Sequence, residues 1–364
     1  MLFRSKAGIE YSHHQIYPNT IDVSASETGY ASSPEFLAHE GAFFIHDEID
    51  FSEKLSCIGG IRLGGYAQTG PYQEIISDSL SVFFDTIFYP SAKILSKYIS
   101  ADPRLMIRYM INKENSIKFS YSHNTQFLHL ISVGSVSFPT DIWFPSTRIV
   151  KPEKVHQISA GWFKILPADQ SEISVEGFYK YFLNQLEFKS SLLLQFSQEE
   201  FEQSLEMGRG KAYGLEISYS KTLGKITGTS GYSLSKTLRI FPGLNNGKPY
   251  PAKYDRTHDL SLHANYKLTK KWNISGLFVF STGNAVNLPA GRYMVQGLII
   301  NDYNHINSFR MPSYHRLDLS ATYKVVNSKG WESSWNFSIY NVYNRANPYY
   351  LFFIPRGDLD KYEL

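Results

Sequence analysis

Between Tyr254 and Pro289 hydrophobic and polar positions take turns. Leu260, Leu262, Ala264, Tyr266 and Leu268 alternate with Ser261, His263, Asn265 and Lys267. A polar turn, Thr269-Lys270-Lys271, reverses the chain. Trp272, Ile274, Gly276, Phe278 and Phe280 then share one parity and Asn273, Ser275 and Ser281 the other, with Leu277 and Val279 interrupting the polar set. A period of two means β-strands with one apolar and one polar face. Each arm is longer than the usual 5–6 residues and matches the roughly 9–11 that a tilted strand needs to cross a bilayer. The stretch reads as a transmembrane β-hairpin.

The same pattern recurs along the chain. Strands are expected at Phe3–Tyr17, Glu40–Asp50, Leu55–Tyr66, Leu105–Ile111, Ser116–Asn124, Lys154–Leu166 and Glu172–Leu186. Met207–Thr222, Lys225–Arg239, the two arms of the opening hairpin, Arg316–Val326 and Trp331–Tyr343 complete a set of about thirteen. A short helix is expected within Ile75–Lys97. Brief polar turns fall near 51–54, 112–115, 167–171, 222–225, 268–271 and 327–330, and a long loop fills each gap between hairpins. Short connections at one end and long ones at the other are the habit of bacterial outer-membrane barrels, with brief periplasmic turns and extended extracellular loops. Trp162, Trp272, Tyr323 and Trp331 near the turns suit an interfacial aromatic girdle. The fold class is therefore all-β, an antiparallel transmembrane β-barrel whose polar parity lines a lumen. Hydrocarbon offers the backbone no hydrogen bonds, so a spanning sheet must close on itself.

Composition narrows the alternatives. Hydrophobic residues make up 43% of 364, yet no apolar run approaches the ~18 residues of a spanning helix. The 26 Tyr and 25 Phe favour strands and interfacial belts. A net charge of +3, with no basic block, asks for no nucleic-acid partner. The single cysteine, Cys57, excludes a disulfide framework and a thiolate cluster, and its apolar parity makes it a small buried or lipid-facing residue. The opening MLFRSKAGIEYSHH shows neither an apolar h-region nor a small-residue cleavage site.

No motif carries catalysis, a cofactor or a metal. His13 and His14 are adjacent and point to opposite faces of a strand, His258 and His263 differ in parity, and His123 and His129 straddle a strand end. Ser218–Lys221 and Ser233–Lys236 match the S-x-x-K spacing of penicillin-recognising enzymes, but that chemistry needs a helix. After Gly208-Arg209-Gly210, the third glycine of a phosphate loop falls one place late, at Gly214, before a strand. Gly59, Gly60, Gly64 and Gly65 suit curvature in a barrel wall. Ligand contact is expected from the loops, in two sets. One is Phe138, Asp141, Trp143, Phe144 and Arg148; the other is Asn284, Asn287, Arg292 and Tyr293. For each, ordinary packing among loop neighbours is the competing account.

Four phrases together resemble the barrel half of TonB-dependent outer-membrane receptors of the Bacteroidetes type. They are GRGKAYGLEISYSK (Gly208–Lys221), YDRTHDLSLHANYKLTKKW (Tyr254–Trp272), RMPSYHRLDLSATYK (Arg310–Lys324) and NVYNRANPYY (Asn341–Tyr350). The stretch FPSTRIVKPEKVHQISAGW (Phe144–Trp162) resembles the family's loop-to-strand passage. The resemblance spans essentially the whole chain. It implies a barrel of roughly 22 strands with a plug, of which about thirteen are expected here, without the plug and truncated at both ends. It also implies active uptake of a nutrient such as a metal chelate, glycan or cobalamin. The implied partners are outer-membrane lipid, an energy-coupling inner-membrane complex whose box is absent from these residues, and a surface lipoprotein; the implied location is the cell outer membrane. An inserted partial sheet would leave roughly ten unpaired backbone groups on each edge, at several kcal/mol apiece in lipid. The expectation is that residues 1–364 alone do not transport. A secreted glycan-binding β-protein would need a repeat of fixed period, and a passive porin-like channel a complete barrel with its own signal peptide.

Overall fold

The computed structural model describes residues 2–17, 35–77, 84–131, 141–189, 202, 204–288, 291–295, 298–302, 305–326, 330–349, 354–355 and 362–363. Thirteen antiparallel strands lie side by side in chain order. They are β1 (Leu2–Ile16), β2 (Phe36–Asp50), β3 (Leu55–Thr69), β4 (Ile94–Met110), β5 (Asn115–Gln126), β6 (Glu153–Leu166) and β7 (Ser171–Phe188). β8 (Leu205–Lys221), β9 (Ile226–Ile240), β10 (His258–Lys267), β11 (Trp272–Ser281), β12 (Tyr314–Val326) and β13 (Glu332–Ile339) follow, and Tyr250–Pro251 adds a short piece beside β9. Among the described residues β1 pairs only with β2 and β13 only with β12, so the sheet is a barrel wall that does not close. No helix among them is long and apolar enough to cross a membrane, which says nothing of a β-barrel.

Local chemistry sets the brief connections. Ser52 Oγ accepts from the backbone N–H groups of Lys54 and Leu55, Asn112 Oδ1 from Glu114 and Asn115, and Thr269 Oγ1 from Lys271 and Trp272. Each is a side chain standing in for a ladder partner where the strand turns. Gly224, between β8 and β9, has φ +113°, a conformation open to glycine. Trp272 packs on Tyr323 near one such turn, with ring centroids 4.8 Å apart.

The register sorts the two faces. Residues directly opposite share a face, and one face carries Ile61, Leu63, Leu105, Ile117, Phe119, Ile158, Tyr213, Leu215, Ile217, Leu262, Ile274 and Leu319, each at least 36% exposed. So much contiguous apolar surface facing outward belongs against hydrocarbon rather than water. Cys57 sits on this face, opposite Ile107. The inner face is polar and bonded to itself. Arg62 pairs with Glu10 and with Glu40, Ser120 Oγ lies 2.7 Å from Ser159 Oγ, and Ser174 Oγ 2.6 Å from Ser218 Oγ.

Two expectations need correcting. The described part of Ile75–Lys97 contains no helix: Tyr72–Ser77 and Phe84–Tyr89 form a hairpin and β4 has begun by Ile94. Ile75-Ile76 and Thr86-Ile87-Phe88 are β-branched and aromatic runs whose strand preference prevails. β4 also starts well before Leu105, running through Pro103. Pairing with β5 begins only at Arg104, so on that side the missing proline N–H breaks no ladder bond.

The two faces should respond differently to one charge. Leu262→Arg, at mid-strand on the apolar face, is expected to destabilise membrane-embedded protein by about 2–4 kcal/mol. Ser261→Arg, on the polar face, should stay within about 0.5 kcal/mol. Urea titration from dilauroylphosphatidylcholine vesicles measures both, and equal losses would contradict the assignment of faces.

Candidate functional site

The protein's packed core lies in the loops at one end of the wall rather than within the sheet. A hairpin of Leu128–Ile131 with Ile142–Pro145 folds across the mouth. Its alternation buries Phe144 and Ile142 while leaving Trp143 and, opposite it, Leu130 exposed. Phe144, 1% exposed, meets the edge of Phe36 from β2 at 5.2 Å between centroids. Ile131, Val150, Phe188 and Leu205 complete that cluster. Leu205 belongs to β8, so one cluster ties together strands with five others between them in the sheet. The wall curls far enough for one hairpin to span it.

Inner-face tyrosines hold the hairpin's return. Tyr66 donates to the Ser146 carbonyl at 2.9 Å and Tyr98 to that of Thr147 at 2.5 Å. Phe127 stacks on Tyr66 at 5.0 Å. Thr147 Oγ1 accepts from the Val150 N–H and donates to Glu202. His129, 3% exposed, sets Nε2 3.1 Å from Ser146 Oγ. Burial lowers its pKa to about 4, which keeps the ring neutral.

The first expected contact set therefore divides. Trp143 and Arg148 face solvent, Asp141 and Phe144 are buried, and Phe138 lies outside the described residues. The second set sits at another loop cluster. Asn284 Oδ1 accepts from Arg256 Nε at 2.9 Å, and Asn287 Oδ1 from the Asn307 N–H at 2.6 Å. Asn307 Nδ2 donates to the Pro251 carbonyl, while Arg310 pairs with the fully buried Asp255. Asp255 in turn accepts from the Thr237 N–H at 2.5 Å. A Cβ on Gly283 would lie 1.7 Å from the Met311 carbonyl, so the chain needs glycine there for two backbones to touch. These bonds fasten the loops to β9 and β10. Arg292 and Tyr293 lie in the hairpin of Gly291–Val295 and Leu298–Asp302, and their side chains are outside the description. The described members of the two sets occupy separate clusters.

A third group, which pattern reading of the sequence passed over, lies on the inner face between them. Arg239 Nη1 meets Glu187 Oε2 at 2.7 Å, Lys253 Nζ meets Glu187 Oε1 at 3.4 Å, and Arg239 Nη2 donates to Tyr254 at 2.9 Å. Opposite Arg239 in the ladder stands Gly210, and a Cβ there would fall 2.1 Å from Gln185 Oε1. The glycine thus makes room for Gln185, which reaches Glu153 at 3.3 Å. Glu206 accepts from the Gly243 N–H at 2.6 Å. Burial, and secondarily the Glu187 carboxylate, pushes the Tyr250 phenol above its ordinary range. Gln185 Oε1, Arg239 Nε, Glu206 Oε2 and Tyr250 OH have no hydrogen-bond partner among the described residues. Buried polar atoms of this kind call for water or a hydrophilic solute. The sequence signal was a charge on the inner parity at a strand's loop end, at Arg239; Glu187 reads as outer parity and turns inward only through the register shift between Leu183 and Gln185. Among the described residues no three His, Cys, Asp or Glu side chains converge to hold a metal.

A family model described as TonB dependent receptor-like, beta-barrel, matches residues 3–344. The pyoverdine outer membrane receptor FpvA of Pseudomonas aeruginosa PAO1, solved with pyoverdine bound, superposes with TM-score 0.57 at 14% identity, over 88% of this chain and 40% of that one. The FrpB iron transporter of Neisseria meningitidis gives 0.58 at 14%, over 94% and 48%. The copper transporter OprC gives 0.58 at 12%, over 94% and 49%. The chain spans less than half the length of each of these proteins. No curated protein matches it.

Docking of the loop hairpin should depend on pH. Once undocked, His129 takes a proton below its ordinary 6.5, whereas docked it stays neutral down to about 4. Docking is therefore strongest above pH 6.5 and weakens as pH falls towards 4, by on the order of 3 kcal/mol in all. Amide exchange of Leu128–Ile131 and Ile142–Pro145 across this range should show the loss, and His129→Gln should flatten it. A hairpin equally protected at pH 4 and pH 7 would contradict this.

Proposed function

The chain belongs to the TonB-dependent receptor-like β-barrel family, and from that premise we propose that it builds wall and loops of an outer-membrane receptor for active nutrient uptake. The carrying observation is the division of faces. Apolar side chains cover the outer surface, while a hydrogen-bonded polar surface lines the inside and ends in the Glu187–Arg239–Lys253 group beneath the loops. In this reading the brief turns lie on the periplasmic side and the long loops outside the cell. A solute arriving from outside meets the exposed Trp143 and Arg148 first and the charged group after them.

The solute belongs to a class rich in hydrogen-bonding groups, such as a metal chelate, a glycan or cobalamin. Pyoverdine is bound by one structural neighbour, and two others are named as iron and copper transporters. Energy would come from an inner-membrane coupling complex, and a surface lipoprotein is a candidate partner. A passive channel fits less well, because a packed hairpin with Phe144 at its centre crosses the mouth.

Uptake measured in cells that make this chain, and in the same cells after its gene is deleted, tests the proposal. Labelled ferric hydroxamate, ferric catecholate, copper, cobalamin and an oligosaccharide mixture serve as probes, each with and without a protonophore. One protonophore-sensitive uptake should vanish on deletion, and Arg239→Ala should lower it about tenfold, the effect of roughly 1.4 kcal/mol. Unchanged uptake of every probe would contradict the proposal.

A further inference from the structure

On the outer face, away from both loop clusters, the wall is indented. A groove of about 760 Å³ crosses β6 to β9. Its floor is Ala160 and Gly177, which are directly opposite in the ladder. Ile158, Tyr179 and Leu234 rise beside them, each more than 40% exposed. A Cβ built on Gly177 would find nothing nearer than the Gly214 carbonyl at 3.9 Å, so the floor is low because a side chain is missing there and not because the space is filled.

Among the described residues, outward-facing charge at the loop end of this groove is one-sided. Lys236 lines the groove itself, and the register places Lys211, Arg209 and Lys154 on the same outer parity, one or two steps further towards the loops. His156 stands beside them, opposite Tyr181. No aspartate or glutamate falls on the outer parity anywhere along β6 to β9: Glu153, Glu172, Glu176, Glu187, Glu206 and Glu216 all take the inner one. Cations without an acidic partner among the described residues, at the edge of an apolar wall, are matched by an anionic headgroup, and the apolar trough leading away from them by an acyl chain.

We propose that this groove is a binding site for one anionic phospholipid, its chain laid over Gly177 and Ala160 and its net negative headgroup held by Lys236 and Lys211. The site rests on the reading of the outer face as lipid-facing. Apolar contact alone gives a protein little preference among lipids, since every lipid chain is equally apolar. Preference comes from the lysines, and tight seating from the missing side chain at Gly177.

Native mass spectrometry of the full chain extracted from vesicles tests this. The vesicles hold equal dioleoyl-phosphatidylglycerol and dioleoyl-phosphatidylcholine, so the two lipids differ only in headgroup. One phosphatidylglycerol should be retained per chain, at least tenfold in preference to phosphatidylcholine. Lys211→Gln with Lys236→Gln should bring that preference close to unity, and Gly177→Phe, which fills the trough, should remove bound lipid of both kinds. Equal retention of the two lipids by the parent chain, or retention by Gly177→Phe like that of the parent, overturns the site. Carbonate washing separates the two levels of failure. A chain that stays in the vesicles yet holds no lipid refutes the groove alone, and one that is washed out refutes the lipid-facing wall as well.

Discussion

Backbone hydrogen bonding is the constraint from which the rest of this structure follows. An N–H or C=O group facing hydrocarbon has no water to turn to, and each one left unpaired costs several kcal/mol. A spanning strand must therefore be paired along its length on both sides, and the ladders here are accordingly long. β7 runs 18 residues, and β3 pairs with β4 from Leu55↔Tyr109 through Thr69↔Ile94. Side-chain alternation is secondary to that. With the ladder fixed, every other residue must face lipid and the rest must face inward, so a single register decides both surfaces.

This arrangement inverts the usual division between core and surface. The wall holds no hydrophobic interior; its large apolar side chains are the exposed ones. Burial is found instead where loops fold over the inner face, around Phe144, Phe241 and Tyr66. Such loop cores do for the mouth what a core does for a soluble domain. They hold Trp143 and Arg148 at the surface on a fixed base and enclose polar groups such as Asp255 and Gln185 at defined positions.

How much of this was legible in the sequence depended on the range of the interaction. Leu317, Leu319, Ala321 and Tyr323 against Asp318, Ser320 and Thr322 declare a strand by themselves, and β12 lies where that pattern puts it. The pattern faded at the loop ends, where loops cover the inner face and its residues become apolar as well. β2 begins at Phe36 rather than Glu40 for that reason, with Phe36 and Ala38 both buried by loops. β4 runs on through Pro103 for a reason no local pattern carries, since whether a proline has a ladder bond to break on that side depends on where β5 pairs. Glu187, Arg239 and Lys253 share no sequence spacing; the pairing of β7 through β9, with the short piece at Tyr250–Pro251 beside β9, brings them together. The burial of Phe144 depends likewise on Phe36, more than a hundred positions away.

The central claim, that one register gives a lipid face and a wet face, is tested most directly along β8. In a Cys57→Ser background, single cysteines placed one by one from Tyr213 to Ser220 carry a nitroxide in vesicle-embedded protein. Collision with oxygen, which concentrates in lipid, and with a water-soluble nickel chelate is then read at each site by electron paramagnetic resonance. The account predicts opposite oscillations of period two, oxygen highest at positions 213, 215, 217 and 219 and nickel highest at 214, 216, 218 and 220. Profiles that fail to alternate, or that alternate in phase, would contradict it.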